Sequence, residues 1–194
     1  MARQFNTAHA NNAEKHYTLP PLARLPDDID DLVHDGYYFV LHAPRQSGKT
    51  TTVMALADKL RADGRYAVVF CSVENGRSAQ TEAAVVGCVV GNLAAEAELQ
   101  LPPSDRPDAE TETQRADTAR RLWRFLTAWS QKSPRPVVLF IDEIDCLQDD
   151  GLISVLSQVR MGYANRPKAF PHSICIFGMR DVRDYKVASG GTPN

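Results

Sequence analysis

Several things are missing from this sequence of 194 residues, and each omission closes a route. No pair of its four cysteines (Cys71, Cys88, Cys146, Cys175) has CxxC spacing, which removes the usual zinc and redox-dithiol patterns. The five histidines (His9, His16, His34, His42, His172) show no metal-ligand spacing. Neither sign of charge dominates: 22 basic against 24 acidic side chains leave a formal charge of −2, so there is no global electrostatic footprint for nucleic acid or an anionic bilayer. The first 17 residues contain no apolar stretch of signal-peptide type. The least polar segment, Ala83–Ala95, is 13 residues long, short of the roughly 20 a spanning helix requires, so no membrane role is expected. Its Gly87 and Gly91 read instead as a site of close helix packing. No internal repeat or low-complexity tract appears.

What is present is the composition of one soluble globular domain, 43% apolar and 24% charged. Cysteines embedded in apolar runs, as at Cys71 and Cys175, fit reduced thiols in a cytoplasmic protein. Residues 1–25 read as an irregular arm and 26–194 as the core domain. A short helix is expected over 27–36, closed by Gly36, and a strand over Tyr37–Ala43. Val53, Leu56, Ala57 and Leu60 repeat at helical spacing up to Gly64. Tyr66–Val73 is a second strand, Ser78–Leu99 a helix, and the proline-containing stretch 100–112 a surface loop. Glu112–Lys132 is the strongest amphipathic helix, through Leu122, Phe125, Leu126 and Trp129. Its arginines 115, 120, 121 and 124 form a solvated face, and Trp123 and Trp129 are core or contact residues. A third strand is apolar from Val137 to Ile141, a helix follows through Leu152, Val155, Leu156 and Val159, and "HSICIFGMRD" is a fourth strand. Near-continuously apolar strands alternating with helices predict an α/β fold: a parallel sheet covered on both faces, a three-layer αβα sandwich.

Two stretches carry chemistry. "HAPRQSGKTT" (His42–Thr51) lies between the first strand and its helix. A loop of the form G-x-x-x-x-G-K-[ST] wraps main-chain N–H groups around a phosphate at a helix N-terminus. Here Ala43 stands in the first-glycine place, where a residue of negative φ can close the strand into the loop. Ala43, Pro44, Arg45, Gln46, Ser47, Gly48, Lys49, Thr50 and Thr51 are thus candidate phosphate-loop residues. Lys49 would reach the β- and γ-phosphates and Thr50 would ligate Mg2+. The second stretch, "VVLFIDEID", puts Asp142 and Glu143 at the C-terminal end of a buried strand, the edge where such sheets bind ligands. Asp142 is a magnesium candidate, Glu143 a general base for water. A phosphate loop and an acidic strand end roughly 90 residues later support one another as the two halves of a phosphate and Mg2+ site.

With these motifs in view, the chain resembles an AAA-type P-loop ATPase, in the branch with an added strand between the two motifs and a catalytic glutamate. "YYFVLHAPRQSGKTT", "FIDEID" and "FGMRDVRDYK" resemble a bacterial and archaeal group of AAA-like ATPase domains, over about Tyr17–Lys186. The resemblance implies a P-loop NTPase fold, ATP and Mg2+ as ligands, and hydrolysis to ADP and phosphate driving a conformational switch. It implies that Arg180, after the fourth strand, senses the γ-phosphate, a salt bridge to Asp142 or Asp145 being the other reading. It makes Tyr17 and Pro20 candidates for contact with the base. The family's sheet runs 5-1-4-3-2 and is followed by a helical lid; neither a fifth strand nor the lid is visible here, so a truncated chain is expected. Arg166 and Arg183 are the candidates for an arginine finger acting on a neighbouring copy. Partners beyond ATP and ADP would be a protein or a second copy. Nucleic acid is compatible but unsupported by the charge. The competing function is a nucleotide-gated interaction module with little turnover.

Overall fold

The protein is described from a computed structural model, which defines Glu14, Tyr17, and residues 20–42, 47–108, 117–147 and 149–178. In chain order these form α1 (Ile29–His34), β1 (Tyr38–His42), α2 (Lys49–Ala62), β2 (Ala67–Ser72), α3 (Glu82–Gln100), α4 (Thr118–Lys132), β3 (Val137–Asp142), α5 (Asp149–Gly162) and β4 (Ser173–Gly178). Short 3-10 turns stand between them, among them Pro21–Arg24, Glu74–Ser78 and Ile144–Cys146.

All the strand pairs are parallel and the order is β1-β4-β3-β2. Because successive side chains of a strand face opposite ways, each strand serves two cores. One face presents Val69, Cys71, Leu139, Ile141, Ile174 and Ile176 to α3, α4 and α5. The other presents Val68, Val138, Phe140, Cys175 and Phe177 to α1 and α2. This double burial is why the strands read as unbroken apolar runs rather than alternating ones. The expected αβα sandwich is what forms, and its strand order is the 1-4-3-2 portion of the family's.

Several local expectations shift. α4 starts at Thr118: Asp117 is extended at its N-terminus, and 109–116, like Arg115, lie outside the described residues. α3 starts at Glu82, capped by the Thr81 hydroxyl, which accepts from the Ala84 N–H at 3.2 Å; Ser78 belongs to the preceding turn. The end of the expected arm is ordered, Pro21–Arg24 forming a turn that packs on α2.

The loop after α3 is not a simple surface excursion. Asp105 is 1% exposed. Its carboxylate accepts from Arg135 (Nη2 2.8 Å, Nε 3.2 Å) and Ser133, and its carbonyl accepts from the Trp129 indole at 2.6 Å. A buried indole N–H needs such an acceptor, and a buried carboxylate such a fork of donors.

The glycines of α3 also act otherwise than expected. Gly91 is exposed and a Cβ there would meet nothing within 4 Å; at Gly87 the neighbour is the Arg121 guanidinium, 3.1 Å away, so Arg121 leaves the solvated face. Close approach of α3 falls instead at Val85, whose side chain lies 2.6 Å from where a Cβ of Gly151 in α5 would stand.

Candidate functional site

The parallel order puts the ends of β1 and β3, with the start of α2, at one edge of the sheet. Gly48 precedes α2 with φ +80°, a left-handed conformation that a side chain strains against. That backbone conformation by itself favours glycine at position 48. No side chain caps α2, and its first turn holds no acid, so the positive end of the helix dipole meets no anionic side chain of its own helix. Ser47 Oγ is buried beside it without a hydrogen-bond partner.

Asp142, the last residue of β3, is 2% exposed. The Thr50 hydroxyl donates to Oδ2 at 2.9 Å, and Lys49 Nζ is 3.7 Å from Oδ1. Oδ1 also accepts the Glu143 N–H at 2.9 Å. Two residues of one helix thus converge on a single carboxylate at the end of a strand 92 positions away in sequence. An ion pair this far from water survives only with further partners for both charges.

Glu143 is the sole positive-φ residue other than glycine among the described residues, at +60°. Holding a β-carbon there costs about 1 kcal/mol or more, and the turn Ile144–Cys146 that follows fixes it, the Cys146 N–H donating to the Glu143 carbonyl at 2.9 Å. Sequence pattern gives no sign of this strain.

A cavity of about 300 Å3 opens beside the loop, lined by Leu25, Pro26, Leu41, His42, Ser47, Lys49, Thr52, Val53 and Phe177. Of these, Leu25 is the last residue of the expected arm, and Pro26 and Phe177 carry no site signal in the sequence. Tyr17 and Pro20 are exposed and do not line this cavity. Thr51, in the first turn of α2, is half-buried. Ala43, Pro44, Arg45, Gln46 and Arg180 lie outside the described residues, as does Arg183. Arg166 stacks on Tyr163, 3.4 Å from the ring centre, and on Tyr38 at 5.1 Å, at the end of the sheet where β1 begins, away from the phosphate loop.

The donors near Asp142 are hard oxygens, the carboxylate and the Thr50 hydroxyl, of the kind that suits Mg2+. Among the described residues no three His, Cys, Asp or Glu side chains gather into a metal cage. One carboxylate with substrate phosphates is how Mg2+ commonly sits in phosphate sites. The unpartnered Ser47 hydroxyl and uncapped α2 likewise fit an anion above the loop.

Residues 22–159 match the family described as AAA ATPase domain. The chain belongs to that family. The matched span of this AAA ATPase domain includes the described part of the loop, α2 and the Asp142–Glu143 pair, and stops within α5. Two solved structures share the fold. A Walker-type ATPase of Pyrococcus abyssi superposes with a TM-score of 0.54 at 12% identity, over 90% of this chain and 48% of that one. Drosophila ORC, solved bound to DNA, gives 0.52 at 14% identity, over 89% of this chain and 27% of that one. The chain therefore spans about half of the first protein's length and about a quarter of the second's. No curated protein matches the AAA ATPase domain described here in sequence.

Proposed function

We propose that this domain binds ATP with Mg2+ and hydrolyses it to ADP and phosphate, the cycle driving a conformational switch in a partner protein or a second copy. The convergence of Lys49 and Thr50 on Asp142 at the uncapped start of α2 carries the reading.

In it, the loop from Ala43 to Thr51 holds the phosphates by main-chain N–H groups, and the Lys49 ammonium contacts β- and γ-phosphate oxygens while staying near Asp142. Thr50 and Asp142 hold Mg2+, which supplies charge neutralisation on the phosphate oxygens. Glu143 accepts a proton from water as the water oxygen bonds to the γ-phosphorus, and the bond from that phosphorus to the β–γ bridging oxygen breaks toward ADP. Arg180 offsets γ-phosphate charge. The cavity beside Leu25 and Pro26 suits the apolar face of the base, with Tyr17 and Pro20 as outer contacts.

ORC was solved with DNA; for this chain a net charge of −2 does not favour that partner. Free thiols at Cys71, Cys88, Cys146 and Cys175 support a cytoplasmic setting, and among the described residues no helix is long and apolar enough to cross a membrane.

Titration with ATP, with and without Mg2+, followed by phosphate release from the wild type and Glu143→Gln, tests the proposal. Binding retained and turnover reduced at least about 100-fold is expected for the variant. Equal turnover in both would refute the base assignment, and binding without turnover in either would make the domain a nucleotide-gated interaction module.

A further inference from the structure

The turn after β2 lies against the turn after β3. Gly76 is buried there, and a Cβ on it would overlap Leu147 Cδ2, so a larger residue requires the Leu147 side chain to move where the two turns meet. The β2 turn is also tied to α3: Asn92 donates to the Ser72 carbonyl at 3.0 Å and exchanges amide hydrogen bonds with Asn75, to which the Cys88 thiol donates at 3.1 Å. This anchoring delivers Arg77 to the acid end of β3. Its Nη2 donates to Cys146 Sγ at 3.0 Å, and the Cys146 thiol donates to Glu143 Oε2 at 3.7 Å.

We propose that Arg77 and Cys146 form a relay that sets the orientation of the Glu143 carboxylate, making both positioning residues for hydrolysis. The inference rests on the proposed role of Glu143 as base. A thiol is a weak donor by itself, and a guanidinium N–H directed into its lone pair polarises the S–H bond toward the carboxylate. The neutral sulfur also keeps Arg77 from a bidentate pair with Glu143, which would occupy both carboxylate oxygens. One oxygen is held by the thiol and the other is left for a water. Arg77 keeps a second carboxylate neighbour in Glu74, 4.0 Å away.

Cys146→Ala and Arg77→Gln should each lower kcat about three- to tenfold with the Kd for ATP unchanged, since small displacements of a catalytic group cost rate rather than affinity. Cys146→Ser, which can both accept and donate, should restore kcat to within about twofold, and the double variant should be no slower than the slower single one. A readout independent of turnover is the alkylation of Cys146 by iodoacetamide, followed by mass spectrometry of its peptide. Burial pushes this thiol up, Arg77 pulls it down, and Glu143 pushes it up again. Arg77→Gln should therefore slow alkylation and Glu143→Gln should speed it. Wild-type kcat in Cys146→Ala alongside an inactive Glu143→Gln overturns the relay alone, as does alkylation that neither substitution changes. Full activity of Glu143→Gln overturns the base assignment and the positioning role with it.

Discussion

Asp142 and Asp105 are both buried carboxylates, and the partners of each define different work. Asp142 receives a hydroxyl and a lysine from the first turn of α2 and the main-chain N–H of Glu143. Asp105 receives a guanidinium fork and a serine, both partly exposed, that tie the loop after α3 to the end of α4. Burial acts to raise the Asp105 carboxyl, and the hydrogen bonds and charge of Arg135 outweigh it, holding the group below the ordinary carboxylate range. A carboxylate depressed in the folded state stabilises fully above the unfolded value of about 4, and that contribution is lost as pH falls through the folded value. Asp105→Asn should cost about 1.5–3 kcal/mol at neutral pH, the worth of hydrogen bonds to a charged group. In urea titrations the gap between wild type and variant should close below about pH 4. A gap that stays constant from pH 7 to 3 would contradict this account.

At the scale of elements, glycine positions in the α3–α5 packing separate two kinds of residue. Gly91 lies mid-helix, exposed and contacting nothing, so Gly91→Ala should stabilise by about 0.5–1 kcal/mol, raising Tm by a few degrees. Gly151→Ala would thrust a methyl into Val85 and should destabilise by about 1–3 kcal/mol. Thermal melts of the two variants decide it; equal shifts would remove the distinction. Both residues look alike in the sequence, because helix–helix contact is set by crossing geometry rather than by spacing along one helix. The helices themselves were legible because burial imposes a period: Leu122, Phe125, Leu126 and Trp129 are all buried as their spacing requires. The strands were legible because both faces are covered. Asp105 was not, since its burial depends on Arg135 and Trp129, distant in sequence, and polar residues with three prolines read as solvent-facing. Nor was Gln158, which bridges α4 and α5 by accepting from the Leu122 N–H at 2.8 Å and donating to the Thr118 carbonyl at 3.0 Å.

For the whole molecule, ligand binding and stability are one equilibrium. Mg2+ and ATP at about 100 times Kd should stabilise by about 2.7 kcal/mol, roughly 5–10 °C in Tm for a chain of this size. Lys49→Ala should abolish that shift in a melting experiment while leaving the ligand-free Tm within a few degrees; an unchanged shift would remove Lys49 from the phosphate site. The two motifs were legible because each is a short run of fixed chemistry, but their meeting depends on the order β1-β4-β3-β2. That order has a further result for biosynthesis. Of the four described strands β4 leaves the ribosome last, yet its place is between β1 and β3, and the Tyr38 hydroxyl finds its acceptor, Pro171, 133 residues downstream. At about 5–20 residues per second, synthesis from Asp142 to Gly178 leaves β1 and the β2–β3 pair unjoined for about 2–7 seconds, each offering a bare apolar edge. A stalled or shortened translation product ending before Ser173 is therefore a substrate for holdase chaperones and proteases, whatever its nucleotide supply.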